Sequence, residues 1–378
     1  MSEERHYFPG NNTPLGFFSY YENILGQREA NKIICVKGGP GSGKSTFLRR
    51  IGKHFASMGE PVDHLHCSAD ENSLDGVVLR RRKVALIDGT SPHVTDPVTP
   101  GAVDMIVNLG EYWNEEGIAE NKDEIIDLSE ETSRWYRIAY NYLNAAESVY
   151  RSLEEIYSDA AEKGEIYRLV AGIIEREYGR KDISFDTGRQ KKFFASAITG
   201  DGVINYLPTL LGGMNRIYVI NVPAGYSNSS FMEIIAEGAV YRGLDSEAFY
   251  CSMCPEGKPE HILIPQTGTA FITVNRYHDL EPWEIPCEEG KEQEVILLDM
   301  SDYMNKAYLE KNGELIETLN EEYDILLNKC IRNLARARDT HMTIEDMYAP
   351  NMNFTEISEL AVQIEKELEK IPASSIIS

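Results

Sequence analysis

Nine consecutive residues, Gly38-Gly39-Pro40-Gly41-Ser42-Gly43-Lys44-Ser45-Thr46, have the types and spacing that could hold the phosphates of a nucleotide. They fit Gly-x-x-x-x-Gly-Lys-Ser, the complete Walker A pattern. Each residue type has a physical reason to be there. Glycines let the backbone turn its N–H groups inward around an anion, and a helix beginning at the end of the loop adds the favourable end of its dipole. Lys44 is expected to reach the β- and γ-phosphates, and the Ser45 hydroxyl to ligate Mg²⁺. An acid completes the set. "VALID" at Val84–Asp88 reads as a short apolar strand ending in Asp88, the Walker B arrangement, with the carboxylate facing the metal. The next residue is Gly89 rather than the glutamate that polarises water in motor-type ATPases, so hydrolysis is expected to be slow or to take its polarising group from elsewhere.

Other candidates surround this pair. Asp70 and Asp75 lie just beyond the apolar run Val62–Cys67 and are expected on the same rim, with either acid able to orient water or a substrate hydroxyl. His93 follows Asp88 by five residues and is a further catalytic candidate. Turn and capping roles compete for both acids. In Arg80-Arg81-Arg82-Lys83 one arginine could face the γ-phosphate, but a solvated loop is the simpler expectation. Cys251-x-x-Cys254, with His261 and Cys287 downstream, is weak as a zinc pattern because its spacing is irregular.

The elements that must position these residues can be read from periodicity. Ile33–Val36 is a β-rich run leading into the loop. Ser45–Phe55 is an amphipathic helix with Phe47, Leu48, Ile51 and Phe55 on one face. Later, Trp135, Ile138, Ala139, Tyr142, Ala145, Val149, Leu153, Ile156 and Ala160 recur at steps of three and four. Such a helix could serve as a lid, but a packing layer or an interface is the simpler role.

The chain is also written twice. At an offset of 184, "NKIICVKGGPGSGKSTFLRRIG" falls on "NRIYVINVPAGYSNSSFMEIIA", so that Gly41 meets Gly225, Ser45 meets Ser229 and Phe47 meets Phe231. Further blocks match at 186 near residues 13–25 and at 191 through the helical section, ending with "LEEIY" on "IEDMY". Ordered matches at a nearly constant offset indicate tandem duplication. The expected units are 1–190, with a helical section over 103–180, and 191–378, with one over 300–371. In the second copy Gly38 becomes Val222, Gly43 becomes Ser227, Lys44 becomes Asn228 and Asp88 becomes Thr273. Losing these together removes phosphate binding, so the second half is expected to be a nucleotide-free or very weak structural or regulatory copy.

Composition sets outer bounds. The 378 residues carry a formal charge of −24, which argues against nucleic acid as a main partner. No apolar run is long enough to span a membrane, and the opening "MSEERHYFPGNN" lacks a signal-peptide pattern. Six scattered cysteines suggest reduced thiols and a cytoplasmic setting.

With "GGPGSGKST", "SLDGVVL", "ALIDGTSPH", "NLGEYW" and "FASAITGDGVINYL", most of the chain resembles a family of tandem P-loop ATP-binding proteins of ATPase or nucleotide-kinase-like type. The resemblance implies an α/β fold of two P-loop NTPase-like domains, with parallel sheets flanked by helices. In that family the second half often keeps its own glycine-rich lysine loop, from which this chain departs at Gly225–Ser229. The combined expectation is a Mg²⁺·ATP site (or GTP in its place) in the first half only, with slow hydrolysis. The alternatives are a small-molecule or nucleotide kinase, and a nucleotide-gated protein whose partner is another protein or a second copy of itself.

Overall fold

The computed structural model describes residues 4–90, 95–281, 284–286 and 293–374. In the first half the elements run β1 (Glu4–Tyr7), β2 (Gly10–Thr13), β3 (Gly16–Ser19), β4 (Lys32–Lys37), α1 (Lys44–Ser57), β5 (Val62–His66), β6 (Leu74–Leu79), β7 (Val84–Asp88) and β8 (Asp104–Asn108). Three helices follow: α2 (Glu115–Ala119), α3 (Lys122–Ala160) and α4 (Lys163–Tyr178). The second half repeats the series as β9 (Gln190–Phe193), β10 (Ser196–Thr199), β11 (Gly202–Asn205), α5 (Leu207–Leu210), β12 (Arg216–Asn221), α6 (Ser229–Val240), β13 (Ser246–Cys251), β14 (Cys254–Ile264), β15 (Thr269–Val274) and β16 (Glu294–Asp299). It closes with α7 (Lys306–Lys311), α8 (Gly313–Tyr348) and α9 (Phe354–Glu369).

Two six-stranded sheets result, ordered β1-β5-β6-β7-β4-β8 and β9-β13-β14-β15-β12-β16, the same order twice. Register is repeated too: Val36 sits opposite Asp88 as Ile220 sits opposite Thr273. The sheets are mixed, which corrects the expectation of parallel sheets. β6 runs antiparallel to β5 and β7, and β14 to β13 and β15. The cause is connection length. Strands joined by a few residues, as β6 and β7 are by 80–83, can only fold back on each other, because a parallel crossover needs a dozen or more.

Alternating residues on each strand divide between two cores. One face of the first sheet (Ile34, Val36, Val77, Leu86) packs on Phe47, Leu48, Ile51 and Phe55 of α1. The other face (Ile33, Cys35, Val78, Ala85, Ile87) shares a core with Ile217, Val219, Leu263, Ala270 and Ile272 of the second sheet. The two sheets therefore bury one face each against the other half, joined also by reciprocal backbone bonds between Phe8 and Phe194 (2.9 and 3.0 Å).

The helical sections are exchanged. α3 and α8 run antiparallel, as shown by Trp135 beside Arg336, Tyr142 beside Lys329 and Tyr150 beside Tyr323. Ala139, Leu143 and Ala146 meet Leu327, Cys330 and Leu334 in their seam. Each long helix carries the chain across to the opposite sheet. Ile166, Val170, Ile173 and Tyr178 of α4 bury against Phe231, Ile235 and Ala239 of α6. Ile357, Ala361, Ile364 and Leu368 of α9 bury against the core around α1. The expected units 1–190 and 191–378 are thus halves of the sequence whose last helices complete each other's layers. No helix among the described residues is long and apolar enough to cross a membrane.

Candidate functional site

β4 and β7 are adjacent parallel strands, and both end at the rim from which α1 departs. That geometry brings the loop after β4 beside the last residue of β7. Gly41 (φ +63°) and Gly43 (φ +83°) hold left-handed backbone, which lets the loop turn tightly into α1. Lys44 is the first residue of that helix. Its ammonium donates to the carbonyls of Gly38 (2.9 Å) and Gly39 (3.0 Å) and lies 3.8 Å from Asp88 Oδ2. Asp88 Oδ1 accepts from the Thr90 N–H at 2.8 Å, and the Thr90 hydroxyl donates to the Gly38 carbonyl at 3.1 Å. Ser42 Oγ donates to the Gly39 carbonyl at 2.8 Å. Ser45 Oγ accepts from the Leu74 N–H at 2.9 Å, which ties the start of α1 to the start of β6 and leaves a lone pair for a cation.

The other sequence candidates separate. Asp75, on β6, is buried and accepts from the Tyr21 hydroxyl at 2.7 Å. Asp70 closes its own turn, accepting from Asn72 N–H (3.2 Å) and Ser73 Oγ (2.6 Å). His93 lies outside the described residues. The arginine run precedes β7, at the end of that strand away from Asp88. There Arg80 pairs with Asp63 at 3.2 Å, and Arg82 donates to the carbonyls of Leu368, Glu369 and Ile371 at the end of α9. Of the zinc pattern, Cys251 and Cys254 face each other across the β13–β14 hairpin, and Cys287 lies outside the described residues.

Sequence reasoning missed what covers the loop. The last turns of α8 and the start of α9 arrive from the other half. A Cβ added at Gly41 would stand 2.5 Å from the carbonyl oxygen of Glu345, one at Gly39 3.1 Å from the Tyr348 ring and 3.3 Å from Trp113, and one at Gly43 3.1 Å from the Phe354 ring. His341 Nε2 lies 3.7 Å from Glu345 Oε1. Its pKa is lowered by burial and further by the charge of Lys44, against the opposing pull of Glu345. The only advance signal was the pairing of "LEEIY" with "IEDMY", which marks equivalence but not that each block crosses to the other sheet.

In the second half the same place is built differently. Gly225 keeps its left-handed backbone (φ +93°), but Leu153 of α3 presses on it, and Tyr157 stands edge-on to Tyr226. Asn228, in the position of Lys44, donates to the Thr273 hydroxyl at 2.8 Å, and Thr273 holds the register of Asp88. Val222, Tyr226 and Asn228 are all buried. Compared with protein-family models, curated proteins and solved structures, the chain matches none of them.

Proposed function

We propose that the first half binds Mg²⁺·ATP at Gly38–Thr46 and Asp88 and hydrolyses it slowly, with the second half a nucleotide-free partner. The observation that carries this reading is the convergence of the Lys44 ammonium and the Asp88 carboxylate, 3.8 Å apart, at a loop with two left-handed glycines and a helix start. A phosphate would replace the Gly38 and Gly39 carbonyls as the partner of Lys44. Ser45 and Asp88 would hold the metal, which would neutralise the phosphate oxygens. Glu345, Tyr348 and Phe354 pack against the loop, so a rearrangement of the loop on nucleotide binding would act directly on α8 and α9 and couple occupancy to the packing of the two halves. Asp70, with both carboxylate oxygens engaged in its own turn, gives no support to a kinase reading.

The test is calorimetric titration of Mg²⁺·ATP into the wild type and into Lys44→Ala, with phosphate release followed in parallel. Binding in the wild type that is lost in the variant is expected. Failure of the wild type to bind ATP or GTP overturns the proposal.

A further inference from the structure

Where the second half lacks a nucleotide site it has a different polar centre. β14 and β15 pair so that His261 faces Ile272, just as Gly76 faces Ile87 in the first sheet. His261 therefore takes the place of Gly76, and Glu260 that of Asp75. His278 follows the end of β15 and is fixed by reciprocal backbone bonds with Asn275 (3.2 and 3.0 Å). One donor atom from each of Glu260, His261 and His278 lies within 4.8 Å of the others. All three residues are at least nine-tenths buried, at 3%, 2% and 8% exposure.

Their hydrogen bonding is incomplete. Glu260 Oε2, His261 Nε2 and His278 Nδ1 make no hydrogen bond, and neither does Oδ1 of the neighbouring Asn228. A buried polar atom left without a partner typically costs about 1–3 kcal/mol, so several at one point signal a missing occupant. The surroundings are otherwise satisfied. His261 Nδ1 accepts from the Thr273 N–H at 3.2 Å, which fixes the ring with Nε2 toward the cluster. Lys258 is taken up by Glu154 (3.0 Å) and the Tyr150 hydroxyl (2.7 Å), and burial beside Glu260 pushes the Cys251 thiol up.

We infer that Glu260, His261 and His278 form a binding site for a divalent transition-metal ion of the Zn²⁺ class. Two imidazoles and one carboxylate suit such an ion better than Mg²⁺, which prefers oxygen ligands and retains its waters. Donors about 2.1 Å from a tetrahedral metal stand about 3.4 Å apart, and His278 Nδ1 is already 3.5 Å from Glu260 Oε2. Ligation by a neutral His261 through Nε2 moves the ring proton to Nδ1, so the bond from the Thr273 N–H is exchanged for the bond to the metal. The ion ties β14 to the segment after β15, beside the relic loop, and three protein donors leave its fourth tetrahedral position to a non-protein ligand. The inference stands apart from the nucleotide reading, because none of its residues belongs to Gly38–Thr46 or Asp88.

The test strips the full chain with a chelator, re-equilibrates it with Zn²⁺ or Co²⁺, and counts bound metal. One ion per chain is expected, unchanged in Lys44→Ala and weakened at least tenfold in Glu260→Gln and in His278→Gln. Zinc-edge X-ray absorption on the wild type reads the ligands without any variant and should show two imidazoles with oxygen. The inference is overturned if the re-equilibrated wild type takes up no stoichiometric metal, which would leave water as the occupant. It is equally overturned if uptake survives in a folded variant carrying both Glu260→Gln and His278→Gln, or if the zinc shell is sulfur-dominated.

Discussion

Gly41→Ala isolates the contact on which the exchange of halves depends. Two effects act at that position. Alanine in left-handed backbone (φ +63°) is disfavoured by about 1–2 kcal/mol. Its Cβ would also stand 2.5 Å from the Glu345 carbonyl oxygen, a backbone atom of α8 that cannot rotate away. Overpacking of this kind typically costs about 1–3 kcal/mol. Gly59→Ala supplies the control, because Gly59 has φ +81° and nothing within 4 Å of an added Cβ. It carries the backbone penalty alone, and the gain from a less flexible unfolded chain is common to both variants. Urea unfolding of the nucleotide-free protein should therefore place Gly41→Ala about 1–3 kcal/mol below Gly59→Ala, and protease should open α8–α9 more readily in the former. Equal destabilisation by the two substitutions would refute the claim that α8 of the second half seats on this loop.

Two further outcomes follow from named contacts. His6 Nδ1 and His66 Nε2 are 2.8 Å apart, and both imidazoles are pushed down to about 4, chiefly by burial. The folded state thus binds protons less readily than the unfolded chain, whose histidines titrate near 6.5. Stability from this pair is fully present above about pH 6.5 and falls as pH drops through about 4. In His66→Gln the pH dependence of the urea midpoint between those values should be flatter, and an unchanged slope would count against the assignment. Asn228→Lys should not create a second ATP site, because Val222 is buried and Leu153 and Tyr157 occupy the space beside the relic loop. Calorimetric stoichiometry should stay at one, and a rise to two would show that the lysine alone was lacking.

How much the sequence disclosed depends on the range of the interaction concerned. Local structure was legible: the loop, its strand (β4 against the read Ile33–Val36) and its helix (α1 against Ser45–Phe55) lie where motif and periodicity put them, and Asp88 ends its strand. The helical stripe was read slightly out of phase. Ala145 is exposed while Leu143 and Ala146 are buried, because in a helix of 39 residues flanked by several neighbours the buried side drifts from a single stripe. Strand direction was misjudged, since apolar runs look alike in parallel and antiparallel pairs unless connection length is weighed. The N-terminal hairpins escaped notice because Gly10–Thr13 is polar, yet Asn11 and Asn12 are buried, donating to the Ser196 and Ile198 carbonyls of the other half. Exchange of α4 and α9 left no local mark, since an apolar helix face does not say which sheet it covers. The Glu260–His261–His278 cluster was hidden for the same reason: its third member comes from beyond the next strand, and the Cys-x-x-Cys pattern drew attention to the wrong partners.

The central claim is that one half carries the working site and the other has lost it. Mg²⁺·ATP titrated into the full chain, wild type against Lys44→Ala, tests this most directly. The account requires one nucleotide bound per wild-type chain and none in the variant. Two nucleotides per wild-type chain, or undiminished binding in Lys44→Ala, would contradict it.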